Sequence, residues 1–90
     1  MNYYWLKCET GEGLFGDESA IQAHTADGVQ FTLYAEKRLL KSPDTYGPNH
    51  LRVLGADLGD GRYYILLPVD PFVTGRAVYV KPNQIEGMAA

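Results

Sequence analysis

Hydrophobic and polar positions alternate with a period of two through most of this chain, a pattern that predicts strands rather than helices. Residues 2–10 (NYYWLKCET) put Tyr4, Leu6 and Cys8 on one face and Tyr3, Trp5 and Lys7 on the other. Aromatic rings fall in both rows, so partial cover is expected on both sides of this strand. Gly11-Glu12-Gly13 breaks the run and Gly16-Asp17 punctuates again, predicting a long polar loop with Leu14-Phe15 as its apolar plug. Residues 19–25 (SAIQAHT) read as a weaker strand, with Ile21 and Ala23 set against Gln22 and His24. Ala26-Asp27-Gly28 turns the chain, because glycine accepts the positive φ that a tight hairpin needs. The return strand, 29–34 (VQFTLY), points Val29, Phe31 and Leu33 inward and Gln30, Thr32 and Tyr34 outward.

Residues 35–41 (AEKRLLK) are the one stretch of helix-forming composition. A helix of about two turns is marginal by itself, so a single short turn docking Leu39 and Leu40 is expected. Residues 42–49 (SPDTYGPN) read as a loop. Residues 50–56 (HLRVLGA) form a strand with Leu51 and Val53 on one face, 57–61 turn, and 62–67 (RYYILL) return as a second hairpin. Pro68, Asp70 and Pro71 make the next link irregular. Thr74-Gly75 then leads into 76–81 (RAVYVK), with Val78 and Val80 inward. Pro82-Asn83-Gln84-Ile85 closes the run, and 87–90 read as a frayed tail. The sum is an all-β chain, one domain over 1–90, folded as a small antiparallel half-open barrel of five to six strands with one short helical turn. Strands this few and short do not make an immunoglobulin-type sandwich.

The terminal block resembles SH3-like barrels in the broad sense. Their last strands run as an apolar strand, a glycine-bearing turn, an alternating valine strand and one helical turn ending in an aliphatic residue. Here those are Leu66-Leu67-Pro68, Gly75, Val78-Tyr79-Val80 and Pro82-Asn83-Gln84-Ile85. The acidic, glycine-rich segment 11–18 is similar to the loop joining the first two strands of such barrels. The aromatic-x-aromatic signature of signalling SH3 domains is absent, since Tyr3-Tyr4-Trp5 is a different arrangement, so proline-rich-peptide binding does not carry over. The chain also resembles the small, functionally uncharacterised single-domain proteins common in bacterial genomes.

A chain of 90 residues builds one compact core and no deep enclosed site. Net charge is −3, and 9–27 hold five acids with no Lys or Arg, which argues against a duplex-binding protein. Cys8 is the only cysteine, so no internal disulfide forms, and its strand position makes it a small buried hydrophobe rather than a nucleophile. No signal peptide is expected at the N-terminus, and no apolar run reaches the roughly 18 residues a membrane helix needs. A cytoplasmic protein without membrane contact is expected.

No motif assigns an activity. His24 and His50 lack the spacing of paired metal ligands, Asp57-x-x-Asp60-Gly61 lacks the order of a calcium loop, and no phosphate or dinucleotide fingerprint is present. An enzyme is therefore not expected, nor any metal or cofactor. The aromatics carry the functional question. In Tyr3-Tyr4 and Tyr63-Tyr64, strand alternation turns one ring in and one out, and outward Tyr and Trp clusters mark interfaces. The first expectation is a binding module, or a homodimer, acting through Tyr3, Trp5, Tyr34 and one of Tyr63 or Tyr64. The alternative is a single-stranded nucleic-acid-binding barrel whose aromatics stack bases while Lys37, Arg38, Lys41, Arg52 and Arg62 meet phosphates. A small hydrolase or metal-dependent enzyme near His24 or His50 is the third reading.

Overall fold

Seven strands form one sheet that curls into a half-barrel in the computed structural model, which describes residues 1–72 and 74–89. They are β1 (Asn2–Glu12), β2 (Glu18–His24), β3 (Gln30–Glu36), β4 (Gly47–Asp57), β5 (Tyr63–Leu66), β6 (Ala77–Val80) and β7 (Ile85–Met88). Their order is β3-β2-β1-β4-β5-β6, with β7 added to β1, and every ladder is antiparallel. Two single 3-10 turns, Lys37–Leu39 and Pro82–Gln84, complete the described secondary structure. The all-β half-open barrel implied by the alternation is thus what forms.

The central ladder joins β1 to β4 from Asn2 opposite Gly55 to Thr10 opposite Gly47. It is long because both strands alternate without interruption. Their inward rows, Tyr4-Leu6-Cys8 and Leu51-Val53, meet Ile21, Phe31, Leu33, Ile65, Leu67, Val78 and Val80 in one core. Leu40 docks there through a bridge to Leu51. Two backbone hydrogen bonds draw the sheet's edges together: Ala26 N–H donates to Tyr79 O at 2.8 Å, and Phe72 N–H to Thr32 O at 3.0 Å. The Gln84 side chain adds donations to His24 O and Thr25 O.

Several local expectations are corrected. β1 runs through Gly11 and Glu12, because these residues find partners in Ala20 and Ser19. The loop shrinks accordingly, and Leu14-Phe15 is no plug: both side chains are 70% exposed at a hairpin tip. The Glu18 carboxylate fastens that tip by accepting from the N–H groups of Leu14 (3.0 Å) and Phe15 (3.3 Å). Val29, expected inward, is exposed, since the turn spans Thr25 to Val29 and β3 begins one residue later. Gly28 takes φ of +81° in that turn. β4 starts at Gly47, inside the expected loop, and Asn49 is buried with its amide donating to Ser42 O and Thr45 O.

The segment expected to fray from Gly87 instead runs beside β1. Met88 pairs with Tyr4, and Ala89 N–H donates to Tyr3 O at 2.9 Å; Ala90 lies outside the described residues. A surface clasp fixes this strand. Glu86 receives Lys41 Nζ at 2.9 Å and lies 2.7 Å from His50 Nε2. The hydrogen bond from Lys41, followed by the positive field of His50, holds the Glu86 carboxyl below its ordinary range. A depressed carboxylate pKa stabilises the fold above the unfolded-state pKa, and that contribution fades as pH falls through the folded value. Urea midpoints measured between about pH 6 and pH 3 should therefore fall less steeply for Glu86→Gln than for the parent. Parallel curves would show that the clasp contributes nothing.

Candidate functional site

The register of the ladders assembles the outward side chains of four strands into rows. Tyr3 stands opposite Leu54, Leu54 opposite Leu66, and Leu66 opposite Ala77. On one side of this row Ala56, Tyr64 and Tyr79 line up across β4, β5 and β6. On the other side Trp5 faces Arg52. The outer face of an antiparallel sheet is ordinarily polar. Here it is aromatic and aliphatic over β1, β4, β5 and β6, and Arg52 is the only charged member of these rows. Tyr3 and Tyr79 are 43% and 45% exposed, while Trp5, Leu54, Tyr64 and Leu66 are half-buried.

The rings are held rather than loose. Tyr64 and Tyr79 pack with centroids 5.3 Å apart at a 59° tilt. The Arg52 guanidinium lies 3.9 Å from the centre of the Tyr3 ring, and that of Arg62 lies 4.8 Å from the Tyr79 ring. Such cation–π pairs fix ring orientation while leaving the other ring face available. Arg62 is also paired with Asp60 at 2.8 Å, and its hydrogen bond lowers the Asp60 pKa.

A groove borders this face. β4 is paired on its far side at Leu51, by Leu40, and again from Leu54, by β5; Arg52 and Val53 between them have no strand partner on that side. The gap opens a groove of about 570 Å³, walled by Tyr3, Leu54, Leu66 and Val69 together with Tyr34 and Leu39. Arg38, Arg52 and Arg76 line it, with Glu18 and Glu36. Arg38 is satisfied by Glu36 at 2.7 Å and Arg76 by Leu67 O at 2.6 Å. The Nε of Arg52 is buried without a hydrogen-bond partner.

Of the aromatics singled out by sequence, Tyr3, Trp5 and Tyr64 share the outer face. Tyr34 lines the groove with Tyr3 and packs edge-on against Phe72, centroids 5.6 Å apart. Tyr63 is the inward member of its pair: it stands opposite Val80 and meets Tyr4 edge-on at 5.3 Å, against the core. Tyr79, Leu54 and Leu66 join the face in addition to the aromatics expected from sequence. The inward assignment of Val78 and Val80 already turned Tyr79 outward, whereas the two leucines needed the register.

The residues considered for chemistry are dispersed. Among the described residues, no three of His, Cys, Asp and Glu come together as a metal site would need. The Cys8 thiol is pushed up to about 12, by burial first and by Glu9 second, so it holds almost no thiolate at neutral pH. Of the cations considered for phosphate, Arg38, Lys41 and Arg62 are ion-paired with Glu36, Glu86 and Asp60. Lys37 lies 5.9 Å from the Tyr46 ring centre. Among the described residues no helix is long and apolar enough to cross a membrane. Comparison with protein-family models, with curated proteins and with solved structures finds no match for the chain.

Proposed function

We propose that the chain is a non-catalytic β-barrel binding module that engages a protein through the outer face of β1, β4, β5 and β6. One observation carries this reading: the side of the sheet that ought to be polar presents Tyr3, Trp5, Leu54, Leu66, Tyr64 and Tyr79 in adjoining rows. Contiguous apolar surface of this kind marks interaction sites. Tyr and Trp dominate interface energetics because a rigid ring brings area at low entropy cost. The barrel is of the SH3-like type in the broad sense, as the order β6, 3-10 turn, then β7 paired with β1 supports. Binding would use the sheet face rather than a proline-peptide groove. A single buried thiol with a raised pKa suits a cytoplasmic setting.

The test is capture with the immobilised protein beside its Tyr64→Ser/Tyr79→Ser variant, which retains the core. A partner retained by the parent should weaken by about 30-fold or more on the variant, as loss of a hot-spot pair does. Equal capture by both would reject the face. Single-stranded nucleic acid is the second reading, favoured by the Arg52–Tyr3 and Arg62–Tyr79 stacks, which resemble base-stacking platforms. An oligonucleotide titration at low salt decides it, and no shift removes it.

A further inference from the structure

The groove beside Arg52 and the hairpin tip at Leu14-Phe15 complement each other. The tip displays two large apolar side chains, each 70% exposed, beside Glu12 and Asp17. No ion pair engages either acid among the described residues, and no Lys or Arg occurs between Glu9 and Asp27. The groove offers an apolar wall of Leu39, Leu54, Leu66 and Val69, with three arginines against the two acids Glu18 and Glu36, and Arg52 is the arginine whose Nε lacks an acceptor. Its volume of about 570 Å³ exceeds what a Leu-Phe pair fills.

The tip cannot serve its own groove. Glu18 fixes the tip's backbone through the Leu14 and Phe15 N–H groups, and Lys37 N–H donates to Asp17 O at 2.9 Å. Glu18 also lines the groove, so tip and groove are neighbours on the molecule. That proximity allows two copies to exchange tips about a two-fold axis, a closed arrangement in which each contact is made twice. We infer that this chain self-associates as a two-fold dimer in which Leu14-Phe15 of each copy enters the Arg52 groove of the other. A carboxylate of the incoming tip then meets the Arg52 guanidinium, which carries no ion pair among the described residues. The inference goes beyond the sheet-face reading: the groove shares Tyr3, Leu54 and Leu66 with that face, but only self-association needs Leu14 and Phe15, and only the sheet face needs Tyr64 and Tyr79.

Sedimentation velocity from about 1 µM to 1 mM tests it. The parent chain should shift from monomer to dimer across that range, and the shift should weaken at high salt, because acid–arginine contacts are screened. Leu14→Ser/Phe15→Ser changes only exposed positions, and should raise the dimer dissociation constant by about 30-fold or more with thermal unfolding unaltered. Arg52→Gln should raise it by about tenfold and flatten the salt dependence. A parent that remains monomeric at 1 mM overturns the inference. So does a dimer indifferent to the tip substitutions but abolished by Tyr64→Ser/Tyr79→Ser, which would assign self-association to the sheet face instead.

Discussion

Phe31→Ala is expected to lower the unfolding free energy by about 3–5 kcal/mol, the usual cost of emptying an aromatic position in a packed core. Phe31 is 1% exposed and is the largest fully buried side chain among the described residues. It lies opposite Ala23 on β2, so its ring fills space that the small partner leaves open. Neighbours on β2 and β3 are tied by backbone ladders and cannot collapse into the cavity. A domain of this size has about 5–15 kcal/mol in total, so the variant should be at the edge of folding at 25 °C. Urea denaturation followed by circular dichroism is the measurement, with a lowered midpoint at unchanged slope as the expected result. Phe72→Ala is the control. Phe72 is 67% exposed and packs edge-to-face with Tyr34, so its loss should cost about 1 kcal/mol or less. Similar losses in both variants would mean that the core is not centred where its burial places it.

The inward rows were legible because burial imposes a period of two that no local signal opposed. Leu6, Ile21, Phe31, Leu33, Val78 and Val80 are all buried as the alternation requires. Strand ends are less legible, because a glycine or a turn acts through its pairing partners as well as through local sequence. Gly11 looked like a break, yet a glycine with a pairing partner in Ala20 stays in the strand. Val29 looked inward because alternation was carried one residue into a turn whose hydrogen bonds take that residue out of the ladder. The strand Ile85–Met88 was invisible for another reason. Its sequence, IEGM, has no alternation, and it forms because β1 offers a free edge opposite Leu6 and Tyr4.

The candidate face divides in the same way. Alternation within one strand identified Tyr3 with Trp5, and left Tyr63 and Tyr64 as a choice between in and out. It could not place Leu54 beside Leu66, nor Tyr64 beside Tyr79, because those neighbours are set by cross-strand register. Register depends on turn lengths and on which faces bury, both properties of the whole sheet. The Arg52 groove is further still from sequence. It exists because one strand is paired at Leu51 and again at Leu54, with nothing between.

Glycine 55 separates packing from propensity, and there the two predict opposite signs. In an exposed strand, replacing glycine by alanine is neutral to favourable by about 0.5–1 kcal/mol, since the unfolded chain loses freedom. Gly11→Ala on β1 should behave that way, because a Cβ there meets nothing within 4 Å. At Gly55 on β4 a Cβ would stand 2.7 Å from Ile65 Cδ1, 3.1 Å from Tyr4 Cδ2 and 3.3 Å from Tyr64 O. Ile65 is fully buried, and the Tyr4 ring is held edge-on by Tyr63, so neither yields without disturbing the core. Gly55→Ala should therefore destabilise by about 1–3 kcal/mol, and Gly55→Val by the top of that range or beyond. The clash names its own rescue: Ile65→Val removes the offending Cδ1. Alone it should cost about 0.5–1.5 kcal/mol, but combined with Gly55→Ala it should restore part of the loss, giving a favourable coupling in a double-mutant cycle of urea midpoints. Additive losses would show that Tyr4 and the Tyr64 carbonyl, rather than Ile65, resist the added carbon. In that case β5 must shift, and the outward Tyr64–Tyr79 pair should shift with it.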